Sequence, residues 1–82
     1  MQVTVELTMY PLQEEPIPEI LEFIEKLNQY DDLKIQTFPT ATIICGDYGK
    51  VMDGIREMIR WSAENQGKAV FLTKILPTYW AL

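Results

Sequence analysis

Glu6, Thr8 and Tyr10 recur at every second position in the stretch Gln2 to Leu12, alternating with Val3, Val5, Leu7 and Met9 before Pro11 ends the pattern. Period-two spacing puts the polar residues on one face of a strand and the apolar ones on the other. Thr4, Glu6, Thr8 and Tyr10 then form one row that carries hydroxyls, a carboxylate and a phenol. A carboxylate in mid-strand is a poor strand former unless it is solvated, paired or bound. Two readings follow from that. Either Glu6 sits on a wetted sheet face, or the row recognises a cationic or amine-bearing small molecule. In the second case the carboxylate supplies charge, the hydroxyls direct hydrogen bonds and the tyrosine ring offers aromatic contact.

Other chemistries find little to work with. The 82 residues include no histidine and one cysteine, which removes Ser-His-Asp and Cys-His pairs and the usual zinc, haem and iron–sulfur ligand sets. No glycine-rich phosphate loop or dinucleotide fingerprint is present. An acylphosphatase-like enzyme would want an arginine in a first loop that here reads Gln13-Glu14-Glu15. The chain is expected to be no enzyme and to need no cofactor or metal. Cys45 lies in an apolar run and is expected to be a buried structural thiol. Glu14-Glu15 and Asp31-Asp32 fit a helix-dipole pair and a turn better than cation ligands, and Lys74 fits a surface lysine. Twelve acidic against seven basic residues give a net charge of −5, and no basic cluster offers itself to nucleic acid or an anionic membrane. The alternating N-terminus lacks the apolar core of a signal peptide, and no apolar run nears the roughly 20 residues of a membrane span. With a single cysteine, a reducing, cytoplasmic location is expected.

The elements that must position the polar row can be read in chain order. After the first strand, Pro16 and Pro18 with nearby acids mark a helix start. Ile17, Ile20, Leu21, Ile24 and Leu27 recur at spacings of three and four, predicting a helix from about Pro16 to Gln29. Leu33, Ile35 and Thr37 alternate with Lys34, Gln36 and Phe38 up to Pro39, as on a sheet edge. Thr40 to Cys45 is β-branched and apolar on both parities, as a central strand should be. Asp47 is a candidate N-cap for a second helix with an inner stripe of Val51, Met52, Ile55, Met58, Ile59 and Ser62, ending near Gly67. Gly54 within it predicts a close helix–sheet approach. Ala69 to Leu76 is a fourth strand, with Val70 and Leu72 on one face and Phe71, Thr73 and Ile75 on the other.

The order β-α-β-β-α-β predicts an α+β, ferredoxin-like plait: a four-stranded antiparallel sheet, strands one and three central, both helices on one face. Residues 1–82 form a single domain with a short aromatic tail at 77–82. The face left open by the helices is expected to carry Phe71, Ile75, Tyr79 and Trp80, more apolar than a solvated surface needs, so a homodimer or homotetramer is expected.

Leu7-Thr8-Met9-Tyr10-Pro11-Leu12 resembles the strand-ending Tyr-Pro-Leu signature of the YkoF-related thiamine-binding family. Thr40-Ala41-Thr42, followed by Gly46-Asp47, is similar to that family's Met-Ser-Thr segment and Gly-Asp turn; Thr40 and Ala41 depart from the usual Met and Ser, whereas Tyr10 and Thr42 match. The resemblance implies a ferredoxin-like domain that binds thiamine or its hydroxymethylpyrimidine moiety, associates with itself and does no chemistry. A thiamine-like cation would then meet Glu6, Thr8, Tyr10 and Thr42 on neighbouring central strands. The competing expectation is a homo-oligomeric interaction or regulatory module without a small-molecule ligand.

Overall fold

A computed structural model describes all of residues 1–82. Strand β1 (Gln2–Pro11) leads to helix α1 (Ile17–Leu27), followed by β2 (Lys34–Phe38), β3 (Ala41–Asp47), helix α2 (Tyr48–Asn65) and β4 (Ala69–Pro77). The strands form one antiparallel sheet in the order β2-β3-β1-β4, with the two most buried strands, β3 and β1, in the middle. This is the α+β ferredoxin-like βαββαβ plait. Val3, Val5, Leu7 and Met9 of β1 and Ile44 of β3 pack beneath Phe23 and Leu27 of α1 and Val51, Ile55 and Met58 of α2. Asp47 caps α2, its carboxylate accepting from the Lys50 N–H at 3.4 Å. No helix is long and apolar enough to cross a membrane.

Three details differ from the sequence expectation. In α1 the buried positions are Phe23 and Leu27, with Ile20 packed against the core and Ile24 half-buried, while Ile17 and Leu21 are exposed. The stripe is centred on Phe23, whose ring meets Phe71 at 5.3 Å between centroids. That contact reveals the second difference. Phe71 pairs with Met9, Thr73 with Leu7 and Ile75 with Val5, so this row of β4 lies on the helix face; Val70, Leu72, Lys74 and Leu76 lie on the open face. Both rows of β4 are largely apolar, and the register with β1 decides between them. Third, the close neighbours of Gly54 belong to the α1–β2 connection. An added Cβ would lie 3.2 Å from Leu33 Cδ1 and 3.6 Å from Tyr30 Cε1.

Candidate functional site

The structure separates the four candidate residues onto two faces. In register, Glu6 stands between Ile43 of β3 and Lys74 of β4, and Thr8 and Tyr10 stand beside Leu72 and Val70. Residues directly opposite one another in an antiparallel pair share a face, so Glu6, Thr8 and Tyr10 are together on the open side. Thr8 donates from Oγ1 to the Thr40 carbonyl at 3.1 Å, which ties β1 to the β2–β3 turn. Lys74 faces Glu6 across the strands but joins none of the four ion pairs of the molecule, so the Glu6 carboxylate is half-buried and solvated. Thr42, by contrast, pairs with Leu7, a core residue, and therefore points to the helix side. Its hydroxyl lies 3.2 Å from that of Thr37, its partner in β2.

That hydroxyl pair belongs to a cleft of about 320 Å³ between α1 and the end of the sheet. Ile20, Phe23 and Ile24 of α1 form one wall; Leu7 to Tyr10 of β1 and Thr37 to Thr42 of the β2–β3 hairpin form the other. The cleft exists because the ladders are staggered. The β1–β3 ladder stops at Leu7–Thr42, whereas β1–β4 pairing continues to Pro11–Ala69. The bonds Tyr48 N to Met1 O and Thr78 N to Gln2 O show that odd residues of β1 turn their backbone polar groups toward β3 and even residues toward β4. Met9 is odd and lies past the end of the β3 ladder, so its N–H and C=O face the cleft without a ladder partner. The cleft thus combines apolar walls, the rings of Phe23, Phe38 and Tyr10, the hydroxyl-bearing residues Thr37 and Thr42 with Thr8, Thr40 and Tyr10 at its border, and one free backbone donor–acceptor pair. This is the composition of a small-ligand site. Thr8, Tyr10 and Thr42 border it; Glu6 does not. Thr37, Phe23 and the Met9 backbone had no distinguishing signal in the sequence, because their part depends on the stagger.

The rest of the open face is shaped by the tail. Thr78 adopts a positive φ of 58° and turns the chain back over the sheet. There the Thr4 hydroxyl donates to the Tyr79 carbonyl at 2.6 Å, accepts from the Ala81 N–H at 3.1 Å and lies 3.2 Å from Cys45 Sγ. Thr4 and Cys45 face each other in register and are both buried, beneath the tail and away from the helix-side core. Away from the cleft, the Tyr30 hydroxyl donates to Glu57 at 3.2 Å. Burial, followed by the charge of Glu57, its hydrogen bond and Asp32, raises the Tyr30 phenol above its ordinary value of 10.0.

No family model matches the chain, and no curated protein matches it. Solved structures do. A Thermotoga maritima protein for which a role in thiamine biosynthesis or salvage has been put forward superposes with a TM-score of 0.82 at 25% identity, over 92% of this chain and 82% of that one. Protein SP2199 of Streptococcus pneumoniae gives 0.84 at 18% identity, over 96% of this chain and 89% of that one. A DUF77 domain of unknown function from Bacillus cereus gives 0.75 at 15% identity, over 93% and 75%. The last two share the fold; the first adds a link to thiamine metabolism on the side of that relative. The chain is thus similar in fold, over nearly its whole length, to a set of small proteins that includes one associated with thiamine, without that likeness singling out the YkoF-related family.

Proposed function

We propose that the protein is a non-catalytic binding protein for thiamine or its hydroxymethylpyrimidine moiety, held in the cleft between α1 and the β2–β3 hairpin. The observation that carries this reading is the free Met9 N–H and C=O beside the Thr37–Thr42 hydroxyl pair in a cleft of about 320 Å³. An aminopyrimidine edge presents a donor next to an acceptor, the complement of an extended backbone edge, and its flat ring suits the space against Phe23. The structural likeness to the Thermotoga maritima protein supports the same ligand class. Tyr10 and Thr8 border the mouth, and Glu6, on the open face, supplies charge only to a ligand bound there.

Titration calorimetry with hydroxymethylpyrimidine and with thiamine tests the proposal. Thr42→Val keeps the shape and removes one hydroxyl, a net hydrogen bond of about 0.5–1.5 kcal/mol, so affinity should fall roughly two- to twelvefold. Glu6→Gln should leave it unchanged. The reverse pattern would move the ligand to the open face, and no heat from the wild type with either compound would remove the ligand reading.

A second reading, a homo-oligomeric interaction module, is favoured by the exposure of Phe38, Val70, Leu72, Tyr79 and Trp80. A thermal-shift panel separates the two, because a ligand that binds only the native state raises the melting temperature with its concentration.

A further inference from the structure

Ser62 lies on the inner stripe of α2, is 0% exposed, and its hydroxyl has no hydrogen-bond partner. A serine inside a helix ordinarily donates to the carbonyl four residues back or points to water; this one does neither. Gln66, one turn on, spends its amide nitrogen on Glu19 O at 3.0 Å and on Glu22 at 2.8 Å, both in α1, and leaves Ser62 alone. A buried hydroxyl without a partner is costly, so what lies beside it decides its meaning. Ser62 lines a hollow of about 470 Å³ between the end of α2 and the start of β4, with apolar walls from Leu12, Ile59, Ala63 and Phe71. This hollow shares no residue with the cleft between α1 and the β2–β3 hairpin. Its rim has the opposite character. Lys68 is the only charged residue that lines it and belongs to none of the four ion pairs. Ala69 adds a free N–H. The bonds Leu12 N to Lys68 O and Thr78 N to Gln2 O show that even residues here bond to β1, so the odd residue Ala69 turns its N–H outward. Gly67, with φ 107°, leads the chain from α2 toward β4, and a Cβ there would meet nothing within 4 Å, so the mouth is open beside Lys68.

We propose that this hollow is a second small-molecule site and that it takes a hydroxyaryl carboxylate, a benzene ring with a carboxylate at one end and a hydroxyl at the other. The ring occupies the apolar space against Phe71, the carboxylate stays at the wet rim beside the Lys68 ammonium and the Ala69 N–H, and the hydroxyl meets Ser62. A hydroxyl suits the deep end because Ser62 Oγ can both donate and accept, and no charge is buried with it. A carboxylate turned inward would lose its water for the single hydroxyl of Ser62, and a cation would meet Lys68 at the mouth. The length fits as well. Ser62 lies about 6 Å along the axis from the C-cap Gln66, at about 1.5 Å per residue, a span that one ring substituted at opposite ends bridges.

Amide chemical-shift titration of the whole chain with para-hydroxyphenylacetate and with phenylacetate, each at neutral pH up to about 10 mM, tests the assignment. Shifts should saturate at Ser62, Gly67, Lys68, Ala69 and Phe71 and leave Thr37 and Thr42 of the cleft unmoved. Phenylacetate, which lacks the hydroxyl, should bind roughly two- to twelvefold more weakly, the value of one neutral hydrogen bond. Ser62→Ala should weaken the hydroxylated compound by the same factor and leave phenylacetate unchanged. Because it deletes an unsatisfied buried group, it should also keep or raise the thermal midpoint of the free protein. Lys68→Gln, on the surface, should weaken both compounds about two- to fivefold. Saturable shifts with neither compound overturn the proposal, as do shifts confined to the cleft. A Ser62→Ala protein that still prefers the hydroxylated compound overturns it too. So does a Ser62→Ala protein that melts earlier or does not fold, because a buried water would then already satisfy the hydroxyl.

Discussion

Thr4→Val removes the hydroxyl that anchors the tail while keeping a β-branched side chain of similar shape in a central strand. That hydroxyl donates to Tyr79 O at 2.6 Å and accepts from Ala81 N at 3.1 Å, and these two bonds hold the tail over Cys45. Each contributes about 0.5–1.5 kcal/mol net, so their loss should shift the tail toward its open form by about 1–3 kcal/mol. The turn that begins the tail works in the same direction, because a left-handed conformation at Thr78, φ 58°, costs roughly 1–2 kcal/mol. Cys45 is 0% exposed and can react only when the tail lifts or the domain unfolds. At tenfold per 1.4 kcal/mol, Thr4→Val should accelerate modification of Cys45 by a soluble disulfide reagent about 5- to 150-fold. The rate is followed optically in native buffer, with circular dichroism to establish that the fold is kept. The core beneath the helices is untouched, so the denaturation midpoint should fall no further than loss of the tail bonds explains. Unchanged labelling of a folded Thr4→Val protein would refute the reasoning and assign the burial of Cys45 to something other than the tail.

Three further outcomes follow from the packing. Phe23→Ala deletes the ring that walls the cleft and packs, tilted by 39°, against Phe71, and should cost about 3–5 kcal/mol in urea unfolding, enough to unfold much of a domain this small; a loss under about 1 kcal/mol would mean that the ring is not packed as described. At Gly54 an alanine gains about 1 kcal/mol of helix propensity while its Cβ presses Leu33 Cδ1 at 3.2 Å, so Gly54→Ala should be close to neutral, whereas Gly54→Val should lower stability by about 1–3 kcal/mol as its extra methyls meet the Tyr30 ring; thermal unfolding that ranks them the other way contradicts the contact. For Tyr30 the folded pKa lies above the unfolded 10.0, so the unfolded state binds fewer protons between the two values. Its contribution is complete below pH 10 and is lost as pH rises through the raised value, and Tyr30→Phe should flatten that alkaline decline in stability, measured by denaturant midpoints between pH 8 and 11.

The element order was legible because strict alternation in β1 and the period of α2 leave little choice, and β2 announced itself as an edge by its polar residues. Thr42 and β4 were not legible for one shared reason. Thr40 to Cys45 and Ala69 to Leu76 are apolar on both parities, so pattern cannot say which row faces the helices; only the register with β1, Leu7 to Thr42 and Leu7 to Thr73, settles it. In α1 the run of Ile17, Ile20, Leu21, Ile24 and Leu27 offered a stripe of its own, and the true one, shifted toward Phe23, depends on Phe71 standing across the core.

The candidate site shows the same dependence most sharply. Every residue type it uses was visible in the sequence, yet none was fated to line a cleft. The β2–β3 hairpin turns at Pro39 and Thr40, which ends β3 four residues short of the end of β1 as β4 pairs it. Had the hairpin been longer, Met9 would be spent in the ladder and a strand would fill the space under Ile20, Phe23 and Ile24. As it is, β4 supports the far end of β1 from one side, the Thr8 hydroxyl closes the turn onto it from the other, and α1 roofs the opening between. The polar capacity of the cleft therefore comes from backbone left unpaired by stagger, with side chains as its frame. Of the row of side chains on the opposite face, Thr8 and Tyr10 touch only its border and Glu6 does not reach it.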